Sequence, residues 1–410
     1  MRRIIMSVKL RLSVMMFLQY AIWGSWFPVL SAYLQNDLGF SGTQVGFIYS
    51  LLPLATIISP FIAGQIADRY FSTEKLIALL QLVGGVFLIL IASTTDYGPM
   101  VWLMLIYCIL YAPTLALTNS IAMINLDNSE KEFGTIRVWG TIGWIVAGLS
   151  LAFWRSLAEA QQIVALQGDT LVLAGIFSIL MGLFSFGLPH TPPRKEGANP
   201  WAFLEALKML KSVNIAIFFI IAFIVATELQ FYYVLTAPFL TSDQVGVADK
   251  NVSAVMVIAQ LAEIIVMAVF LPRFLPKFGI RKVMTMGIIA WPLRYAVFAI
   301  GGPTWLVIAS LALHGFCYVF FFTAAFIYVD EIAPKDIRHS AQSLITLTVI
   351  GFGMYFGSLF AGWVQTLFTS AERGTNWTGV FLVPLFLTLL CALAFLLFFK
   401  EPGKESLQRA

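Results

Sequence analysis

The stretch VNIAIFFIIAFIVATELQFYYVLTAPFL, residues 213–240, contains one charged side chain, Glu228, in an otherwise apolar run. A helix crosses a bilayer with about 20 mostly apolar residues, so this stretch predicts a spanning helix. A charge within a bilayer is costly, and it therefore usually faces a polar cavity or a proton path. The sequence accordingly indicates a membrane protein with a polar interior.

Runs of the same kind recur along the whole chain. Of its 410 residues, 60% are hydrophobic and 11% are charged, whereas a soluble domain has about 25% charged residues. Matching each apolar run to the thickness of a bilayer predicts twelve spanning helices, and so an all-α membrane protein made of two six-helix halves. The predicted spans are residues 9–35, 43–68, 75–94, 99–124, 137–157, 170–189, 213–240, 251–273, 281–300, 304–329, 338–368 and 376–399.

The basic residues predict the orientation of these spans. If both termini are cytoplasmic, most of the 25 Lys and Arg residues lie in cytoplasmic segments or at the helix ends beside them. The exceptions are Arg155, Lys250 and Arg373 on the other face and Arg294 within a span. Cytoplasmic loops of membrane proteins carry an excess of Lys and Arg, and an odd number of spans would invert the later loops. We therefore expect a multi-pass protein with both termini cytoplasmic.

A polar segment, His190 to Pro200, separates the two halves. Pro192 and Pro193 interrupt any helix there. The following stretch, Trp201 to Lys211, is too short to span and predicts an amphipathic helix on the membrane surface. The predicted domains are an N-terminal half at 1–190, a cytoplasmic linker at 191–212, a C-terminal half at 213–400 and a cytoplasmic tail at 401–410.

Gln260 and Glu263 form the most clearly marked candidate site. They are three positions apart, so they lie on the same side of a helix. An amide and a carboxylate there suit a polar substrate, and a carboxyl group can also carry a proton. Glu263 and Glu228 are therefore the candidates for proton coupling. A structural ion pair between Glu263 and an arginine is the alternative interpretation, whereas Arg294 and His314 are interpreted as structural residues.

Other classes of protein are disfavoured by residues that the chain lacks. Its three cysteines lie in apolar runs, which favours buried thiols over a disulfide framework. Its three histidines are far apart, and neither H-E-x-x-H nor G-x-S-x-G occurs. We expect no enzyme activity, metal, cofactor or nucleic-acid partner. A receptor that binds its solute without transporting it remains an alternative.

Gly64, Asp68 and Arg69 resemble the loop signature G-x-x-x-D-R of the major facilitator superfamily. The resemblance implies two six-helix halves that alternate access to a central site, with these three residues acting in gating. A more specific resemblance is to the bacterial nucleoside:proton symporter family. It is carried by FLQYAIWGSW (17–26), YAPTLALTNSIA (111–122), IRVWGTIGW (136–144), QLAE (260–263) and IYVDEIAP (327–334).

That resemblance implies transport of nucleosides with protons across the bacterial inner membrane. We expect a monomer in the lipid bilayer, because each chain holds a complete set of site residues. The family's substrate-binding positions correspond here to Arg137, Thr141, Trp144, Gln230 and Tyr233. Gln260 and Glu263, chosen by their spacing, and the weaker candidates Tyr318 and Phe322 complete the predicted substrate-binding set. For Arg137 and Trp144, membrane anchoring and helix packing are the alternative roles, and packing is the alternative for Tyr233, Tyr318 and Phe322.

The chain departs from the family pattern at two positions. Tyr233 replaces an amide residue, and Val319 replaces an aspartate that the family uses in binding and proton coupling. Two interpretations follow from the valine at position 319. Either Glu263 or Glu228 carries the proton, or the protein is an uncoupled facilitator. Another neutral polar solute, such as a sugar, is the alternative substrate.

Overall fold

The structure is a computed structural model that describes residues 6–163, 168–192, 201 and 203–400, without the side chains of 60–70, 129 and 130. Almost all of this chain is helical. The helices of the N-terminal half are α1 (Val8–Trp26), α2 (Leu30–Ala32), α3 (Gly42–Tyr70), α4 (Thr73–Ala92), α5 (Tyr97–Ile124), α6 (Ser129–Ala160) and α7 (Asp169–Ser185).

The C-terminal half is more often interrupted. Its helices are α8 (Phe203–Ala206), α9 (Val213–Thr241), α10 (Asp249–Ile265), α11 (Leu271–Ile300), α12 (Thr304–Ser310), α13 (Leu313–Phe316), α14 (Ala324–Ile332), α15 (Arg338–Thr346), α16 (Met354–Leu367) and α17 (Trp377–Phe398). A small hairpin joins the last two helices through β1 (Thr369–Ser370) and β2 (Gly374–Thr375), with Thr369 opposite Thr375.

The twelve predicted spans are confirmed. Among the residues that the structure describes, nine helical segments are long and apolar enough to cross a membrane, and one of them, Asp249–Ile300, covers two predicted spans. The shorter α7 and the first helix, α1, provide the other two spans. The predicted surface helix corresponds to α8 and a 3-10 turn at Leu207–Lys211, whereas residues 193–200 and 401–410 lie outside the described part.

Several spans contain a turn of π-helix that the apolar pattern does not predict. These turns lie at Tyr33–Asp37, Val266–Phe270, Cys317–Thr323 and Leu347–Gly353. Such turns shift the helical register by one residue and are frequent at functional sites. The turn at Cys317–Thr323 carries three positions of interest, Tyr318, Val319 and Phe322.

The largest differences between predicted boundaries and the structure occur at two places. Helix α6 begins about two turns before the predicted span, because Asn128 caps it by accepting a hydrogen bond from the Lys131 N–H at 3.2 Å. The predicted loop between the eighth and ninth spans is helical except for a kink at Gly279, whose φ is 77°. Glycine adopts a positive φ at little cost, so the backbone kinks at this residue and is helical on both sides of it.

The described residues fall into two compact units. The N-terminal unit comprises Met1–Phe40, Leu54–Asn199 and Asp249–Ala254, and the C-terminal unit comprises Ser41–Pro53, Pro200–Ala248 and Val255–Ala410. Within the N-terminal unit α1 packs on α6 and α7, and α4 packs on α5 and α7. Within the C-terminal unit the closest pairs are α11 with α17 and α9 with α16.

Close helix pairs in both units depend on glycine. A Cβ atom at Gly143 of α6 would lie 2.8 Å from the carbonyl carbon of Phe17 on α1. A Cβ atom at Gly357 of α16 would lie 2.6 Å from the Cα of Thr227 on α9. Small residues allow membrane helices to approach closely and to gain packing contacts without a hydrophobic driving force. The helices that carry the predicted site are therefore fixed against their neighbours at these crossings.

Candidate substrate and proton site

In the N-terminal unit, α6 presents Arg137, Thr141 and Trp144 on one side. The spacings of four and three residues place them on successive turns of the same face. Arg137 and Thr141 are half-buried, and Trp144 is 9% exposed. The predicted alignment of these side chains thus holds in the helix that carries them.

Aromatic residues of α1 hold two of these side chains. The Arg137 guanidinium carbon lies 3.9 Å from the centre of the Tyr20 ring, a distance at which a cation is attracted by the ring. Trp144 meets Trp23 edge-on, with 5.5 Å between the ring centres. A Cβ atom at Gly24 would lie 2.7 Å from the Trp144 ring, so glycine makes room for the indole. Tyr20 is thus a further candidate for the site, which the sequence pattern does not single out.

Behind these residues lies a buried hydrogen-bonded network. The Gln19 amide donates to the Thr114 hydroxyl at 2.8 Å, and the Gln81 amide donates to the Gln19 side-chain oxygen at 2.9 Å. The Ser178 hydroxyl donates to the Gln81 side-chain oxygen at 2.8 Å. The network joins α1, α4, α5 and α7. Because Gln19 is 0% exposed and its amide is paired within the unit, it supports the scaffold.

In the C-terminal unit, Gln260 and Glu263 lie on α10 as predicted from their spacing. Gln260 is 5% exposed and Glu263 is half-buried. Gln260 adjoins the Tyr232 hydroxyl, and the charge of Glu263 acts on Tyr232 and Tyr233 of α9. An amide, a carboxylate and two phenols therefore converge on one region of this unit.

Aromatic rings extend this region along the tenth span. His314 on α13 stacks on Tyr232 at 4.4 Å between ring centres and on Tyr318 at 5.9 Å. Tyr318 in turn contacts Phe322 at 5.6 Å. The structure thus brings Tyr233, Tyr318 and Phe322 together with Glu263 through rings that sequence analysis had assigned partly to packing.

Two predicted residues of α9 face other helices. Gln230 is 0% exposed, and its side-chain oxygen accepts a hydrogen bond from Ser358 of α16 at 3.0 Å. Glu228 is also 0% exposed, and it adjoins Tyr295 of α11 and Cys391 of α17. Neither carboxylate oxygen of Glu228 has a hydrogen-bond partner among the described residues. Glu228 therefore lies in the packed interior of the unit.

Val319 is 0% exposed. Its neighbours in sequence, Tyr318 and Phe320, belong to the same π-helical turn. A valine there can neither donate nor accept a hydrogen bond, so the position contributes packing only. Gly64, Asp68 and Arg69 lie in α3, and their side chains are outside the described residues.

Arg294 and His314 form a buried pair that sequence analysis interpreted as structural. Arg294 Nη1 lies 3.0 Å from His314 Nδ1, and both side chains are 0% exposed. The two residues are twenty positions apart on different helices, so no sequence spacing predicts their contact. In the described part of the chain, no group of three His, Cys, Asp or Glu side chains is placed to hold a metal ion.

Comparison with known proteins agrees with the fold. A family model described as "Nucleoside H+ symporter" matches residues 6–404. The putative nucleoside transporter YegT of Escherichia coli strain K12 is 37% identical over 98% of this chain and 96% of its own length. The nucleoside permease NupG of the same organism is 32% identical over 96% of each chain.

Solved structures agree as well. A crystal structure of the nucleoside transporter NupG matches with a TM-score of 0.84 and 30% identity, covering 97% of this chain and 100% of that one. A D-xylose-proton symporter, at 14% identity and a TM-score of 0.70, shares the fold over 96% of this chain. The twelve helices therefore form the fold of the major facilitator superfamily, and this chain belongs to the nucleoside H+ symporter family.

Proposed function

We propose that this membrane transporter binds nucleosides, that two sets of side chains contribute to binding, and that Glu263 carries the coupled proton. The N-terminal set is Arg137, Thr141 and Trp144. The C-terminal set is Gln260, Glu263, Tyr233, Tyr318 and Phe322, with Gln230 behind it. The observation that carries the proposal is that α10, which bears Gln260 and Glu263, packs closely on Gly315, whose neighbour His314 contacts the rings of Tyr232 and Tyr233.

The chemistry of a nucleoside matches these groups. A nucleoside is neutral and presents an aromatic face, a polar base edge and sugar hydroxyls. Aromatic side chains stack on the base, while amide, hydroxyl and carboxylate groups satisfy its polar atoms. Sites for small molecules commonly combine a mostly apolar lining with a few such polar groups. A sugar would also use the polar groups and would pack its C–H faces on the rings, but it has no aromatic face to stack on them.

Glu263 suits the proton better than Glu228. A carboxyl group that exchanges protons during transport must reach water or substrate at some stage, and Glu263 is half-buried on α10. Glu228 is fully enclosed by α9, α11 and α17. Since position 319 carries valine, Glu263 is the acid of the predicted set that remains available for coupling.

We also propose that the protein lies in a bacterial inner membrane as a monomer, with both termini in the cytoplasm. The distribution of Lys and Arg supports the orientation. The presence of a full set of binding groups in one chain supports the monomer. The gating role of Gly64, Asp68 and Arg69 is proposed because these residues resemble the loop signature of the major facilitator superfamily.

Uptake of labelled uridine into proteoliposomes tests the function. With an inward proton gradient we expect concentrative uptake, and without it only equilibration. Equal, non-concentrative uptake in both conditions would indicate an uncoupled facilitator. Absence of uptake in either condition would favour another neutral solute, which competition with a panel of sugars would identify.

The Glu263→Gln variant tests the proton carrier. Because glutamine keeps the size of the side chain but cannot titrate, we expect proton-driven accumulation to fall by at least about tenfold, the factor that corresponds to 1.4 kcal/mol. The matched control is Glu372→Gln, the same exchange at an exposed position of the last hairpin. Near-normal accumulation by Glu263→Gln would contradict the assignment.

A further inference from the structure

Arg294 is a buried cation within the C-terminal unit. Its guanidinium carbon lies 4.6 Å from the centre of the Trp291 ring and 4.8 Å from that of Tyr232. Among the described residues, no carboxylate forms an ion pair with it, and its Nε has no acceptor. Aromatic rings offset only part of the cost of burying a charge. A cation held in this way indicates that a counter-charge is present at another stage.

The hydrogen bond to His314 fixes the state of the imidazole. A guanidinium group only donates hydrogen bonds, so His314 Nδ1 must accept from Arg294 Nη1 at 3.0 Å. His314 is therefore neutral and carries its proton on Nε2, which has no partner among the described residues. The imidazole acts as an acceptor for Arg294 and cannot hold a second proton while the pair is formed.

Two acids lie on helices that pack against this pair, Glu228 on α9 and Glu263 on α10. Of the two, Glu263 is half-buried, whereas Glu228 is fully enclosed. A Cβ atom at Gly315, next to His314, would lie 2.6 Å from the Ala262 carbonyl carbon and 2.9 Å from the Glu263 nitrogen. The charges of both Arg294 and Glu263 act on the Tyr232 hydroxyl. The other titratable groups that face the cluster are Tyr233 and Glu228 on α9, Tyr295 on α11, and Cys317 and Tyr318 in the π-helical turn.

Resting on the proposed role of Glu263, we propose that Arg294 is the positioning residue for coupling and that it alternates between two partners. When Glu263 is protonated, Arg294 donates to His314. When Glu263 releases its proton to water, the guanidinium donates to the carboxylate, and His314 stays neutral throughout. The valine at position 319 removes an acid from this region, so Arg294 has Glu263 as its counter-charge there.

Exchange and accumulation separate this role from a structural one. Equilibrium exchange of a nucleoside requires binding and alternation of the units but no net movement of protons. We expect Arg294→Gln to retain nucleoside exchange within about threefold of the wild type and to lose proton-driven accumulation by about tenfold or more. The accumulation by Arg294→Lys should lie between those of Arg294→Gln and the wild type. The matched control is Arg373→Gln, the same amino-acid substitution at an exposed position.

The pH profile provides a second readout. In the wild type, exchange should depend on pH through Glu263, and Arg294→Gln should shift the midpoint of that profile towards higher pH. The shift follows because a nearby cation favours the charged carboxylate, and its removal favours the protonated acid. An unchanged profile together with normal accumulation would overturn the proposal, as would equal loss of binding, exchange and accumulation in a folded variant.

Two variants of His314 distinguish an acceptor from a proton carrier. His314→Gln keeps an oxygen acceptor for Arg294 and should retain accumulation within about threefold, whereas His314→Leu should lose it by about tenfold or more. Loss of accumulation in both variants would mean that His314 itself carries the proton and would overturn the proposal. If Arg294→Gln does not fold, the two His314 variants alone test whether His314 is an acceptor or a proton carrier.

The tests use whichever solute the wild type accumulates. Failure of the uridine assignment and failure of this inference are therefore separate results. The first is seen in the wild type alone, and the second is seen in the comparison of Arg294→Gln with Arg373→Gln and in the two His314 variants.

Discussion

At the scale of single residues, the site depends on aromatic rings that hold charged side chains in place. Tyr20 lies under Arg137, and Tyr232 lies against both Arg294 and His314. A ring contact directs a guanidinium without neutralising it, so the cation stays available to substrate or to a carboxylate. These rings are as important to the proposed chemistry as the charged groups that they contact.

The contact between Tyr20 and Arg137 can be tested directly. Tyr20→Ala removes the ring, and we expect the dissociation constant for uridine to rise roughly tenfold, within the range of a partly desolvated cation–π contact. Tyr20→Phe retains the ring and serves as the matched control, with affinity close to that of the wild type. Isothermal titration calorimetry in detergent measures both. Equal weakening in the two variants would show that the hydroxyl matters and not the ring.

The exchange at position 319 can be reversed. Val319→Asp adds a titratable group at a fully buried position, so we expect stronger dependence of uptake on the proton gradient. A stability loss of about 1–3 kcal/mol should accompany it, since a polar group enters an apolar environment. Val319→Asn has a similar size without the charge, and it should show the stability loss alone. A pH profile of uptake identical in Val319→Asp and Val319→Asn would contradict this expectation.

At the scale of helices, apolar length and charge predicted the number and order of the spans. The π-helical turns and the kink at Gly279 were not predicted, because they depend on contacts between distant helices. The neighbours of a buried side chain are equally hidden from sequence: helical spacing places Glu228 and Gln230 on different sides of α9, but only the structure shows that they lie near α17 and α16 respectively. For the same reason the pairing of Arg294 with His314 required the structure.

Helix contacts of this kind are sensitive to a single methyl group. Gly143→Ala on α6 would place a Cβ atom 2.8 Å from the Phe17 carbonyl carbon on α1, and we expect about 1–3 kcal/mol of destabilisation from overpacking. Gly134→Ala on the same helix meets no atom within 4 Å and should be neutral or slightly stabilising, since alanine favours helix. Thermal unfolding in detergent compares the two. A lower midpoint for Gly134→Ala than for Gly143→Ala would contradict this account of the crossing.

At the scale of the whole molecule, the distribution of basic residues predicts which loops face the cytoplasm, and cysteine labelling can test it. The three native cysteines are buried, so they should react little with a membrane-impermeant maleimide. Glu372→Cys, between β1 and β2, should react in intact cells. Lys335→Cys, between α14 and α15, should react only after the membrane is opened, because an odd number of spans separates the two positions. Reaction of both from the same side would contradict the twelve-span topology, and exchanged sides would invert the orientation.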